Sequence, residues 1–329
     1  MVAWLVRRVA AAIAIVFAVV TLTFFLTHLA GGTPCGPADE QLLAPEVCER
    51  LRRQFGLDRP LAVQYRDYLW NLVHGELGVS FSQQRSVSAA FRDAMPNTLV
   101  LAGTALLVDF AVGLALGVYQ AARARRFADI ALGNAALFVN SMPTFWLGLV
   151  LLLVFAQWLH WFPVGGIHDP VRCPRIDSLA CLADFLRHLA LPALTLGLVG
   201  AAGTARYQRA AMLEVMAQDF VRTARAKGLR ERRVWLRHGL RNALLPFITL
   251  VGLAFPFLLT GSVLVEWVFA WPGMGWLSVN AVSSRDYPVV TAAALVASVM
   301  VTVGNLLADL LYVVADPRIR VAGEAGGVA

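Results

Sequence analysis

Six apolar segments limit what this chain of 329 residues can become: 9–30, 98–119, 130–156, 189–205, 244–269 and 288–314. A helix needs about 20 apolar residues to cross the hydrocarbon core of a bilayer. Five of the segments meet that length, and 189–205 lies near the lower limit. Leu, Ala and Val dominate them, and no ten-residue apolar/polar alternation of the barrel kind appears. A content of 58% apolar and 15% charged residues excludes an ordinary soluble domain. The expectation is an all-α integral membrane protein with six transmembrane helices.

The positive charge has one address. Residues 206–241 carry ten Lys or Arg against Glu214, Asp219 and Glu231, a net +7 that equals the formal charge of the whole chain. Basic loops between spans stay on the cytoplasmic side. With both termini in the cytoplasm, 17 basic residues lie inside and 11 outside. Seven of the outer ones sit in the long segment 31–97 beside eight acids, so they weigh little. Arg7 and Arg8 before an apolar run resemble a signal peptide, but the run is too long for that and no cleavage site follows. An uncleaved first span is expected.

All four cysteines then fall outside, where disulfides are permitted, and the count within each segment favours Cys35–Cys48 and Cys173–Cys181. Cross-pairing stays open. No Cys-x-x-Cys pair supports a metal site, and none is expected. The organisation read from the sequence is 1–30 as N-terminus and first span, 31–97 as an external helical segment, 98–320 as a five-helix core containing the cytoplasmic loop 206–243, and 321–329 as a flexible tail. Within 31–97, helical spacing marks 45–57 and 60–74, the second starting at Pro60, and 75–85 reads as a turn.

Polar residues inside the spans are candidates for a translocation path. Asp109 lies mid-span, where a carboxylate faces the bundle interior or water. It is read either as a counter-charge for a cationic group or as a structural partner for another span. Asn140 precedes Pro143, which breaks the third span, and Asn305 and Asp309 share one face of the last. Glu266 reads as interfacial, near the outer end of the fifth span.

Catalytic signatures are missing. The chain has no G-x-x-x-x-G-K-[ST] phosphate loop, no H-E-x-x-H and no G-x-S-x-G elbow, so it is expected to be no enzyme and to bind no cofactor or metal. The basic loop shows Met212, Val215, Met216 and Phe220 at helical spacing, then Val221 and Ala224, with Arg209, Arg222, Arg225 and Lys227 between them. Such a face lies on anionic lipid or enters a groove on a partner protein. Gly228 ends the helix, and a second one is expected over 231–245. No nucleic-acid partner is expected.

The run Asp219–Leu229, with Arg237-His238 and Arg241–Pro246, resembles the cytoplasmic coupling loop of ABC importer permeases. More narrowly it resembles the first membrane subunit of the dipeptide/oligopeptide/nickel permease family. Aligned on Gly228, the general Glu-Ala-Ala triplet is Arg222-Thr223-Ala224 here, a departure typical of the peptide branch. Leu57-Asp58-Arg59-Pro60, Gly75–Gly78, Met142–Gly148, Phe269–Gly275, Arg285–Pro288 and Asp316–Arg320 carry the same likeness, which covers nearly the whole chain. The resemblance implies a permease subunit in the bacterial inner membrane, partnered by a second homologous permease, two cytoplasmic ATPases that hold ATP and Mg, and an external substrate-binding protein. It implies that Met212, Met216, Phe220, Arg222, Thr223, Ala224, Lys227 and Gly228 couple the pore to an ATPase. A secondary transporter or channel, with Asp109 and Asp309 as ion-coupling groups, is the rival from another class.

Overall fold

The computed structural model describes residues 2–29, 45–54, 56–173, 178–244 and 262–315. Its regular structure is helical, apart from one isolated bridge between Val79 and Ser86. The helices in chain order are α1 (Val2–Leu29), α2 (Pro45–Gln54), α3 (Leu61–Val73), α4 (Val87–Ala122), α5 (Phe127–Ser141), α6 (Thr144–Leu151), α7 (Leu179–Met216), α8 (Asp219–Ala226), α9 (231–243), α10 (262–268), α11 (Met274–Ser283) and α12 (Tyr287–Ala315). By length and composition α1, α4, α7 and α12 can each cross a membrane, and α5 with α6 and its extension make a fifth if that bent pair counts as one span. The expected span 244–269 falls mostly on 245–261, outside the described residues.

Two expected boundaries move. The third apolar segment is a helix pair bent by 107° between Ser141 and Thr144. Met142 is extended (φ −81°, ψ 139°), as the residue before a proline must be, and Pro143 opens α6. After Leu151 the chain continues as a π-helix through Trp158. The second segment begins earlier than its apolar run, at Val87, and carries Pro96 inside the helix.

The chain divides into two compact units. The first comprises Met1–Leu99 and Pro272–Thr302. Its core joins Val87, Ala90, Phe91 and Ala94 of α4 to Met274, Leu277 and Ala281 of α11 and to Val289 and Ala292 of α12. Asp286, wholly buried, ties the turn before α4: one carboxylate oxygen accepts from Ser80 Oγ at 2.5 Å and from Ser82 N and Oγ at 3.0 and 2.8 Å. Thr98 Oγ1 accepts the first free amide of α11, Met274 N, at 2.8 Å. Around α3, Phe24 stacks on His28 and Tyr68, and Arg66 and Arg59 hold the Asp67 carboxyl below its ordinary value. Apolar side chains elsewhere on α1 are open, with Ile13 65% and Leu22 61% exposed, as in a helix in contact with lipid.

The second unit comprises Val100–Trp271 and Val303–Ala329. Its centre is α7, which packs against α5 and α6 and carries the buried row Leu189, Leu191, Ala193 and Leu196. Leu101, Ala102 and Ala105 of α4, Leu152 and Ala156 after α6, and Val265, Phe269 and Trp271 complete that core. The Ser178 hydroxyl caps α7 by accepting from Cys181 N at 3.3 Å. Cys181 is disulfide-bonded to Cys173, one of the two expected pairs. The other lies outside the described residues at Cys35, and the Cys48 side chain is not among those described. Ahead of the disulfide, the backbone amides of Arg172 and Val171 donate to Asp169 and hold its carboxyl below the ordinary value.

Candidate functional site

The basic stretch is built from three pieces. Its first third is the end of α7, so 206–216 continues the helix that begins at Leu179. The chain then breaks at Ala217-Gln218 and restarts as α8. This break divides the stripe that the spacing had joined into one face. Met212, expected on the partner-facing side, is fully buried, packed with Ala121 of α4 and Ala243 of α9. Met216 is half-buried, its sulfur lying against Gly239, where a Cβ would meet it at 2.8 Å. Val221 and Ala224 turn inward from α8 onto Val234, Met216 and Leu229. The outward face of α8 is therefore Phe220, Arg222 and Thr223, followed by Lys227 just past its end, all exposed.

Gly228 closes α8 with φ +75°, the left-handed conformation that the sequence asked for. Gly228 N donates to Arg225 O at 2.9 Å and Leu229 N to Ala224 O at 3.4 Å, the paired bonds of a Schellman turn. Leu229 then folds back onto the apolar patch beneath α8. Across the turn Arg225 grips Glu231 with two bonds of 2.9 and 3.4 Å. The following helix arrives as expected, but 234–240 is wound as a π-helix, a form common at functional sites. The result is a short helix closed by this turn at its C-terminal end and held down by Val221 and Ala224, with an exposed face that carries Arg222 and Lys227.

Inside the unit, α4 and α7 meet along a line of small residues. A Cβ on Gly113 would strike Thr204 and one on Gly117 would strike Gln208; one on Gly197 would strike Val108 and one on Gly200 the Asp109 carboxylate. Glycines at such spacing let helix backbones approach closely where no hydrophobic effect drives them together. The partner numbers rise together along both helices, so α4 and α7 run parallel. Gln208 is completely buried in this seam, and neither of its amide atoms has a hydrogen-bond partner among the described residues.

Among the described residues, the candidate path residues are not gathered into one site. Asp109 is buried at the seam and accepts the Thr204 hydroxyl at 2.7 Å, the structural-partner arrangement. Asn140 is exposed and lines a cavity of about 360 Å³ between α5 and α7. Asn305 is exposed on α12, and the Asp309 side chain is not among those described. Glu266 departs from its interfacial reading: it is fully buried, with Ser262 Oγ donating to it at 3.1 Å. An ion pair joins α5 to α7 as well. Asp129 receives Arg209 through two bonds of 2.7 Å each, plus the Arg125 amide at 2.8 Å. An acid beside the Arg-rich turn 123–126 was the available signal. Among the described residues no cluster of three His, Cys, Asp or Glu is placed to hold a metal.

Helices of this length and apolarity, packed through a glycine seam, define a multi-pass membrane protein. The chain belongs to the binding-protein-dependent transport system inner membrane components, whose family model matches residues 113–321, and the N-terminal model of the same systems matches residues 1–102. It is 39% identical to the oligopeptide transport system permease protein AppB of Bacillus subtilis, covering 97% of this chain and 100% of that protein. It is 40% identical to the di/tripeptide transport system permease protein DppB of Pseudomonas aeruginosa, over 97% and 99% of the two. A putative peptide permease protein of Brucella ovis is 41% identical over 98% of this chain and 100% of its own length. The chain is thus a transport component of the ABC permease type.

Proposed function

We propose that this chain is the permease subunit of an ATP-driven importer of di- or oligopeptides or related small ligands in the bacterial cytoplasmic membrane. It forms half of a pore with a homologous permease, receives substrate from an external binding protein, and is driven by two cytoplasmic ATPases that carry ATP and Mg. The observation that carries this reading is α8: a short helix with its apolar side held down by Val221 and Ala224 and its outer side presenting Phe220, Arg222, Thr223 and Lys227. A free basic helix face fixed to the pore helices is what a groove on an ATPase needs in order to move them. The printed names of the relatives support peptides as the cargo.

The same reading includes six spans with both termini in the cytoplasm. Parallel α4 and α7 support it, because the chain between them must return once across the membrane, which the bent pair α5–α6 does as a single broken span. The Cys173–Cys181 disulfide fits an outer, oxidising side for its loop.

The test is reconstitution of the chain with its partner permease, ATPases and binding protein in vesicles, followed by peptide uptake. ATP-dependent uptake is expected, and uptake that persists without the ATPases overturns the reading in favour of a secondary transporter. Gly228→Val should then uncouple the complex. A β-branched residue at φ +75° is strained by about 1–2 kcal/mol, which loosens the turn that fixes α8. ATP hydrolysis is expected to continue while uptake falls several-fold; unchanged uptake removes the turn from the coupling.

A further inference from the structure

The cavity between α5 and α7 has a composition that selects a ligand. Its walls are Asp129, Ile130, Gly133, Asn134, Ala136, Leu137 and Asn140 on α5, Ala202, Arg206 and Arg209 on α7, and Gln120 on α4. Two opposite charges in it cancel: Arg209 is bound by both carboxylate oxygens of Asp129. Arg206 is different. Among the described residues no acid pairs with it, and no hydrogen bond engages its guanidinium or the side-chain amides of Asn134 and Asn140. The cavity is therefore open, with Arg206, Asn134 and Asn140 all exposed in it, and carries one net positive charge, a planar fork of donors and two uncommitted amides beside the apolar side chains of Ala136 and Ala202 and the half-exposed Ile130 and Leu137.

We propose that this cavity is a subsite for the carboxylate end of a peptide-like ligand, with Arg206 as its anion-binding residue. A guanidinium fork matches a carboxylate in plane and charge. Asn134 and Asn140 each offer a donor and an acceptor, which suits a ligand that presents both, as the peptide bond next to a terminal carboxylate does. A lipid phosphate presents acceptors alone and leaves the amide oxygens idle. The volume, about 360 Å³, admits one or two small residues at a time. Asp129 acts by position: it occupies Arg209 and so leaves the single free charge to Arg206.

This inference rests on the reading of the chain as a peptide importer, and its test separates the two. Vesicles holding the complete transporter are assayed for ATP-driven uptake of trialanine and of trialanine amide, which differ in the terminal carboxylate. Wild type is expected to favour the free acid. In Arg206→Gln that preference should fall by about tenfold, the worth of one charge-assisted bond, through KM more than through maximal rate. Arg206→Lys, which keeps the charge but loses the fork, should retain only part of it, between wild type and Arg206→Gln, and also shows that the position tolerates change. Asn134→Leu should lower uptake of both probes together.

If wild type imports neither probe, the peptide reading fails and the subsite falls with it. If wild type imports them but Arg206→Gln keeps the same preference, the importer stands and the subsite is overturned, since selection then lies elsewhere. A third arm compares thermal stabilisation of the purified chain by phosphatidylglycerol and phosphatidylcholine. Loss of the phosphatidylglycerol effect in Arg206→Gln, with peptide preference unchanged, assigns the cation to lipid and overturns the proposal.

Discussion

Asp109 and Asp129 are buried almost equally, 7% and 5% exposed, and both bond to α7, at Thr204 and at Arg209. Exposure does not distinguish them, but depth and partner do: Asp109 lies deep among the helices and Asp129 nearer the surface. Asp109 takes one neutral hydroxyl and lies against the backbone of Gly200. Asp129 takes a bidentate guanidinium and a backbone amide, three donors for two oxygens. The first joint is a close fit that depends on shape. The second is an electrostatic clamp, and removing either half strands a charge. One helix is thus attached to its neighbours by two mechanisms with opposite sensitivities.

The largest effect should come from opening the clamp. Asp129→Ala leaves Arg209 without its counter-charge, at a cost of about 2–3 kcal/mol, less than for a fully buried pair because 32% of the Arg209 side chain is exposed. Denaturant titration of the purified chain in detergent measures it, and a loss below about 1 kcal/mol would make the two joints equivalent. Gly200→Ala should come next. Its methyl would enter the space of the Asp109 carboxylate, an overpacking worth about 1–3 kcal/mol. Combined with Asp109→Ala the extra cost should shrink, because the obstructing group is gone; strict additivity would deny that shape sets this joint.

The smallest effect is expected from Asp109→Asn. The amide oxygen still accepts from Thr204, so stability should change by less than about 1 kcal/mol. Uptake of peptides with cationic ends should match that of neutral ones, measured as a ratio against wild type. A selective loss of the cationic substrates would instead restore Asp109 as a counter-charge in the path.

The helical segments were readable wherever lipid demands a long apolar run, and Pro143 and Gly228 announced a break and a turn through backbone chemistry that needs no neighbours. The extent of α7 was not readable. Its backbone ladder runs on through Arg206 and Glu214, because hydrogen bonding along a helix is indifferent to hydropathy, whereas the apolar run stops near Ala205. The basic face divides for a related reason. Spacing alone cannot see that the break at Ala217 resets the rotation between Met212 and Phe220, so one apparent stripe is two faces. The clamp joins residues 80 apart and the cavity needs three helices, so neither exists until the chain is folded. Glycines at 113 and 117, and at 197 and 200, close together on two apolar segments, are the sequence's hint of the seam.

The length of α7 has a mechanical consequence. At 38 residues it is about 57 Å long, nearly twice the thickness of the hydrocarbon core, so a large part of it projects beyond any bilayer it crosses. Such a rod works as a lever: a tilt of about 5° around its midpoint moves each tip by roughly 2.5 Å. One tip begins at the capped turn beside the Cys173–Cys181 loop, and the other ends at Met216, which packs against Val221 and Ala224 of α8. A small rotation at the glycine seam would be amplified at both tips, and Pro192, inside the helix, is the point at which the rod could bend instead.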